Sequence, residues 1–235
     1  QANTNSTAGA SNFDGSIQAT AKANQTAKFS IITFTAPSSS TASYSVGHGL
    51  NVAPEFWLWK SRSATGSWQA YFTALGSSSN RLNLDSTGAV SSSYPGSATN
   101  SIINLSDGPT AAWGGTNVIY AFAPVAGYSA FGSYTGNGST DGAFVYTGFR
   151  PAFILLKRTD SGIRTWEIHD TARSPGNVSE NNLIPNVSNA ESSGSARLDI
   201  LSNGFKLRTT SNGINNGNMI YAAFAENPFQ TARAR

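Results

Sequence analysis

The chain repeats itself, and that repeat limits its fold more than any other feature. "APEFWLWKSR" at Ala53–Arg62 is matched by "RPAFILLKRT" at Arg150–Thr159, with Pro54 on Pro151, Phe56 on Phe153 and Lys60 on Lys157. "SWQAYFTA" at Ser67–Ala74 is matched by "TWEIHDTA" at Thr165–Ala172, which sets Trp68 on Trp166. "NRLNLDSTGA" at Asn80–Ala89 parallels "NNLIPNVSNA" at Asn181–Ala190, and "NLSDG" at Asn104–Gly108 parallels "ILSNG" at Ile200–Gly204. Finally "YAFAPV" is answered by "AAFAEN", with Phe122 on Phe224. The landmarks keep one order, so the chain is a duplicated unit of about 100 residues, the size of a small domain. Unit A is expected over residues 29–126 and unit B over 127–235. Residues 1–28 are rich in Ala, Asn, Ser and Thr and poor in large apolar groups, and read as an extended lead-in.

Each unit reads as all-β. The stretches "FSIITFT", "ASYSV", "EFWLWKS", "WQAYFTA", "RLNLD", "SIINL" and "NVIYAFA" are short, β-prone and bounded by Gly, Ser, Pro or Asn. No long segment keeps an apolar period of 3.6. "SDG", "TDG", "SNG" and "NNG" are turn chemistry, read here as supplying the positive φ of tight hairpins. About seven strands per unit predict two tandem β-sandwich units. The third strand of each copy, Phe56–Trp59 and Phe153–Leu156, is apolar at consecutive positions, so both of its faces are expected to be covered.

Composition narrows the class. Charged residues make up 11% of the chain, against about 25% in an ordinary soluble domain. The surface this implies is neutral and hydroxyl-rich. The net charge of +3 is spread along the chain without a basic run, so no nucleic-acid partner is expected. With no cysteine there is no disulfide, thiolate metal site or thiol nucleophile. No 18-residue apolar stretch occurs, so no membrane insertion is expected. The opening "QANTNSTAGASNFDG" lacks the basic and apolar regions of a signal peptide and begins without Met. It reads as the start of a processed product or of the C-terminal part of a longer chain.

No nucleophile-elbow, zincin, phosphate-loop or dinucleotide motif is present, and no cofactor is expected. In "EIHDTAR", Glu167, His169 and Arg173 fall on one strand face and Asp170 on the other. A carboxylate and an imidazole two residues apart suit acid–base work, although an exposed polar strand face is the plainer reading. His48, between glycines in "SVGHGL", reads as a turn residue, and Asp107 and Asp141 as turn formers before Gly. Trp68 and Trp166 coincide in the repeat and read as core. Trp57 and Trp59 are aliphatic in the other copy, and Trp113 sits in the Gly-rich "AAWGGTN". Those three, with Arg164 and His169 of unit B, are the candidate contacts for a glycan, because Trp offers an apolar face with a polar edge. Core packing of Trp57 and Trp59 stands as the alternative.

Several stretches carry a family likeness. "NFDGSIQATAKANQTAKFSI", "VGHGLNVAPEF", "GFRPAFILLKRTDS", "LSNGFKLRTTSNGINN" and "IYAAFAENPF" resemble a repeated β-domain of tailed-bacteriophage virion proteins, frequent in phages of marine bacteria and cyanobacteria. The resemblance runs from Asn12 almost to the end. It implies a structural, non-enzymatic part on the virion exterior, in a fibre- or adhesin-like protein, with other virion proteins as partners. It also implies a homo-oligomer, in the first place a trimer, and contact with host surface polysaccharide. A non-binding capsid decoration or head fibre is the alternative, and a polysaccharide depolymerase a third reading. The family brings no catalytic residues with it.

Overall fold

The computed structural model describes residues 9–38, 43–92, 96–106 and 113–226, and across them the protein is all-β. The helical element among the described residues is a single 3-10 turn, Thr73–Leu75. The chain divides into two compact units, one within Gln1–Asn83 and Val90–Pro124, the other within Leu84–Ala89 and Val125–Arg235.

Unit 1 contains β1 (Ala10–Asn12), β2 (Ala19–Asn24), β3 (Phe29–Thr35), β4 (Ser43–Gly47), β5 (Phe56–Ser61), β6 (Gln69–Phe72), β7 (Leu82–Asn83), β8 (Gly96–Ala98), β9 (Ile102–Ser106) and β10 (Thr116–Phe122). They form one sheet of order β1-β2-β3-β10-β5-β6-β7 and a second of order β4-β9-β8. Unit 2 contains β11 (Ser129–Asn137), β12 (Phe144–Tyr146), β13 (Pro151–Arg158), β14 (Trp166–Asp170), β15 (Leu198–Leu201), β16 (Gly204–Leu207) and β17 (Asn216–Ala225). Its sheets run β11-β17-β13-β14 and β12-β16-β15. Every strand pair is antiparallel.

The duplication therefore holds at the level of topology. With β3, β10, β5 and β6 set on β11, β17, β13 and β14, and β4, β9 and β8 on β12, β16 and β15, the two orders coincide. Register agrees residue by residue. Trp57 pairs Tyr71 and Trp59 pairs Gln69, where Ile154 pairs His169 and Leu156 pairs Glu167. The bridge Arg81↔Ser91 has its counterpart in Asn182↔Ser192.

Alternation puts one face of each sheet inward. In β3 Ser30, Ile32 and Phe34 are buried while the residues between them are not, the period-2 pattern of a half-covered strand. Ile32, Phe34, Trp57, Trp59, Ile119 and Ala121 of the larger sheet share one core cluster with Tyr44, Val46, Ile103 and Leu105 of the smaller. Unit 2 repeats this, Ile154, Leu156, Met219 and Tyr221 meeting Val145, Leu198, Ile200, Phe205 and Leu207. Two layers around one core is the arrangement a half-apolar sheet requires. The third strand of each unit is covered or half-covered on both faces. Opposite the core, Phe56 stacks on Phe72 at 4.3 Å and on Phe122 at 5.3 Å, and Phe122 lies 4.7 Å from Phe29.

Four expectations change. The lead-in is not merely a linker, because β1 and β2 extend the larger sheet of unit 1. Its small residues lie beside the large ones of β3, Ala19 opposite Phe34 and Ala21 opposite Ile32, so low bulk here marks a close fit rather than a lack of structure. β8, "GSA", has no apolar signal and is held by pairing with β9. "ILSNG" is the β15–β16 hairpin and corresponds to the turn between β8 and β9. It does not correspond to "NLSDG", whose Asn104–Ser106 lie on β9 and whose Asp107 and Gly108 lie outside the described residues. In that hairpin neither Asn203 nor Gly204 has positive φ. Gly204 is required for space, since a Cβ there would stand 2.1 Å from the Val145 carbonyl oxygen.

Candidate functional site

β5 carries Trp57 and Trp59 on its inward face, and both are buried to within 2%. The expectation that they make exposed contacts is corrected. Trp59 donates its Nε1–H to Asn117 Oδ1 at 3.1 Å, and Asn117 donates to the Gly115 carbonyl at 2.8 Å. Trp57 stacks on Tyr71 at 5.1 Å with the rings within 5° of parallel. The residues differ between copies because volume is redistributed across the core. Trp57, Tyr71 and Gly96 occupy the positions that Ile154, His169 and Leu198 occupy in unit 2. A large-to-small change at one position is balanced by small-to-large changes beside it. Trp166 is fully buried as expected, whereas Trp68 is half-buried and stacks on Tyr120 at 6.0 Å.

His169 and Glu167 face inward from β14, so the exposed polar face expected of them is also corrected. His169 Nε2 lies 3.3 Å from Glu167 Oε2, and Asn182 Nδ2 donates to the same oxygen at 3.4 Å. Arg197 Nη1 lies 3.9 Å from Glu167 Oε1. His169 Nδ1, Asn182 Oδ1 and Arg197 Nε are buried with no protein partner. In unit 1 the same two sheet positions hold a neutral pair, with Tyr71 Oη donating to Gln69 Oε1 at 2.9 Å. The imidazole side chain is fully covered and the carboxylate 5% exposed. Both groups are covered in this structure, and they form a buried polar pair of the core. Arg173, expected beside them, instead pairs with Asp170 and, at 2.9 Å, with Glu191.

Arg164 is half-buried and acts through its backbone. Its N–H donates to the Thr87 carbonyl at 3.1 Å, and its own carbonyl accepts from Lys157 Nζ at 2.6 Å. Lys157 is fully buried and also donates to Thr87 O at 3.1 Å. Burial, with the Arg164 charge adding to it, lowers this ammonium to about 8. Its repeat partner Lys60 donates to the Gly66 carbonyl in the same way. The paired lysines thus clamp the loop that follows the third strand in each unit.

His48 is a turn residue, as expected, but fully buried. Nδ1 accepts from Leu50 N–H at 3.1 Å, which leaves the proton on Nε2, 3.1 Å from the Thr99 carbonyl. Burial pushes its pKa below the ordinary value, opposed by the Thr99 bond and by Asp14. Among the described residues no group of three or more His, Cys, Asp or Glu could hold a metal ion.

Of the five candidate contacts, Trp113 alone is well exposed, at 43%. It precedes Gly114, whose φ of 67° and bond to the Pro37 carbonyl make the turn. Three exposed rings escaped the sequence reading: Phe13 at 71%, and Phe144 at 47% and Tyr146 at 66% on the outward face of β12. For the last two the signal was the alternation in "AFVYTG", where Val145 alone enters the core. Unit 1 has Ser45 and Gly47 at these positions.

Residues 2–228 match the model of a family described as a domain of unknown function, DUF7483, and the chain belongs to that family. The family's domain spans both units. No curated protein and no solved structure matches the chain.

Proposed function

We propose that this DUF7483 chain is a structural, non-enzymatic module of a tailed-bacteriophage virion. It sits on the particle exterior in a fibre- or adhesin-like protein and contacts host surface glycan. The reading rests on the sequence resemblance, and the observation that carries it furthest is the paired topology. Two units keep one strand order and one kind of core while their exposed rings differ: Phe13 and Trp113 in unit 1, Phe144 and Tyr146 in unit 2. A conserved scaffold with variable exposed aromatics suits recognition by surface loops and edges. Weak single contacts become useful when many copies act together.

Immunogold labelling of the intact phage that encodes the chain tests the location; label confined to the particle interior overturns the proposal. Binding of the purified protein to host cells tests the contact. Trp113→Ala and Tyr146→Ser are expected to weaken cell binding with the melting temperature within about 2 °C, as surface changes usually do. Trp68→Ala, which loses the stack on Tyr120, is expected to lower the melting temperature. The burial of Trp57, Trp59 and His169 favours a second reading, a capsid decoration or head fibre that binds no receptor. Attachment unchanged by both surface substitutions would select it.

A further inference from the structure

A long bare sheet edge is a template for pairing with another chain. Among the described strands most edges are short or already covered. β1, β8 and β12 have three residues and β7 two. β4 is covered by the segment before β2, with Ile17 N–H donating to the Ser45 carbonyl at 3.2 Å and Ser45 N–H to Ser16 Oγ at 2.8 Å. β14 and β15 carry further bridges, Ile168↔Leu183 and Ser179↔Leu198. β11 is the exception. Its nine residues, "SAFGSYTGN", include no charge and no proline, and its register with β17 runs unbroken from Ser129 to Asn137. Charges, proline, bulges and shortness are the usual guards of an edge, and β11 has none of them.

The turn before β11 fixes where its backbone groups point. Ser129 N–H donates to the Val125 carbonyl at 2.9 Å, and Val125 N–H to the Ser129 carbonyl at 3.2 Å. Residues of the other parity bond toward β17: the Tyr128 carbonyl accepts from Ala225, and Gly138 donates to the Asn215 carbonyl. Backbone groups alternate sides along an antiparallel strand, so those of Ser133 and Thr135 point away from β17. They meet no backbone partner among the described residues, and both residues are exposed.

Unit 1 shows what fills this place. Phe29 faces Phe122 as Ser129 faces Phe224, so Ser133 and Tyr134 stand where Thr33 and Phe34 stand. There β2 covers the edge, with Thr20 opposite Thr33 and Ala19 opposite Phe34. Ile17, Ala19, Ala21 and Ala23 pack against the core, and Ile32 and Phe34 are buried to within 5%. In unit 2 the Val125↔Ser129 bridge takes the place of Asn24 opposite Phe29, and the cover ends there. The residues of β11 on the core side, Ala130, Gly132 and Tyr134, are left half-buried.

We propose that the β11 edge of unit 2 is a docking site for an extended strand of a partner protein, with small residues at alternate positions as in Ile17–Asn24. The chain's own strand of this kind is engaged on β3, so the occupant comes from a different protein. It adds antiparallel to β11, its backbone bonding to Ser133 and Thr135 and its small side chains closing the core beside Tyr134. Main-chain bonds supply affinity in such an addition, and alternate side chains supply selectivity. The inference goes beyond the virion reading and does not depend on it.

The probe is the synthetic peptide of Ile17–Asn24, IQATAKAN, titrated into the full chain by calorimetry. Two N-methylated versions accompany it. In the register of β2, methyl groups on the amides of Thr20 and Lys22 block the side that meets β11, and those on Ala19 and Ala21 block the opposite side. Saturable binding of the parent peptide is expected. Methylation at Thr20 and Lys22 should weaken it at least about tenfold, and methylation at Ala19 and Ala21 should change it little. Ser133→Pro removes an N–H that takes no part in the β11–β17 pairing, a change that an edge strand tolerates. It is expected to weaken binding at least about tenfold with little change in melting temperature. Thr135→Pro carries the same expectation should the first variant fail to fold. No saturable binding by the wild-type chain, equal binding of the two methylated peptides, or binding that survives a folded proline variant overturns the site. A wild-type assembly that loses subunits in Ser133→Pro, by light scattering, shows β11 paired with a second copy and overturns the partner strand. Particle labelling and cell binding decide the virion reading separately, since either can fail while the peptide binds.

Discussion

His48 shows how a residue that looks incidental can fix a turn. Gly49 and Asn51 sit at positive φ, 67° and 58°, and the imidazole spans the turn from the Leu50 amide to the Thr99 carbonyl. The ring must be neutral at Nδ1 to accept that amide. Its folded-state pKa is lowered by burial, so between that value and the ordinary 6.5 the unfolded chain binds the extra proton. The stabilisation is therefore complete above about 6.5 and is lost as pH falls below it toward the folded-state value. His48→Gln is expected to cost about 1–2 kcal/mol at pH 7.5. It should also flatten the decline of the melting temperature between pH 7 and 5. Equal slopes for the two proteins would show that another group governs this range.

At the scale of elements, the unit of variation is a set of facing positions and not a single residue. Gln69, Tyr71 and Gly96 of unit 1 stand where Glu167, His169 and Leu198 stand in unit 2. His169→Tyr brings a phenol ring against Leu198 and removes one of the partners of Glu167, and is expected to cost about 1–3 kcal/mol. Leu198→Gly empties a fully buried site and is expected to cost about 3 kcal/mol or more. The double variant restores the unit 1 geometry, so its loss should fall short of the sum by about 1 kcal/mol or more. Chemical denaturation of the four proteins measures this, and strict additivity would contradict the exchange. The same reasoning explains why difference between the repeats was a poor guide to exposure for Trp57 and Trp59. Packing constrains the sum of volumes, which a single aligned column does not display.

The whole molecule raises the question of assembly. β5 and β13 are covered or half-covered on both faces, and symmetry is an economical way for a fibre-like protein to bury further apolar area. The expectation of a homotrimer belongs to this scale. Multi-angle light scattering of the full chain at micromolar concentration should give three times 24.6 kDa. A monomer at that concentration would count against both the trimer and a fibre built from this module alone.

The sequence by itself determined the class and the plan. Strand-length apolar stretches bounded by Gly, Ser and Asn could not become helices, and "FSIITFT" is β3 residue for residue. Collinear landmarks required two copies of one unit, and the shared strand orders of the two copies repeat that plan. Local periodicity is a property of neighbours along the chain, so it is legible there. Tertiary structure decided the rest. It turned Trp57, Trp59, Glu167 and His169 inward, made strands of the small-residue segment before Phe29, and left Phe144 and Tyr146 outside. Each of these depends on what stands across a sheet or a core, from residues tens of positions away. The burial of a side chain is set by the partner that fills the facing space, and no local pattern names that partner.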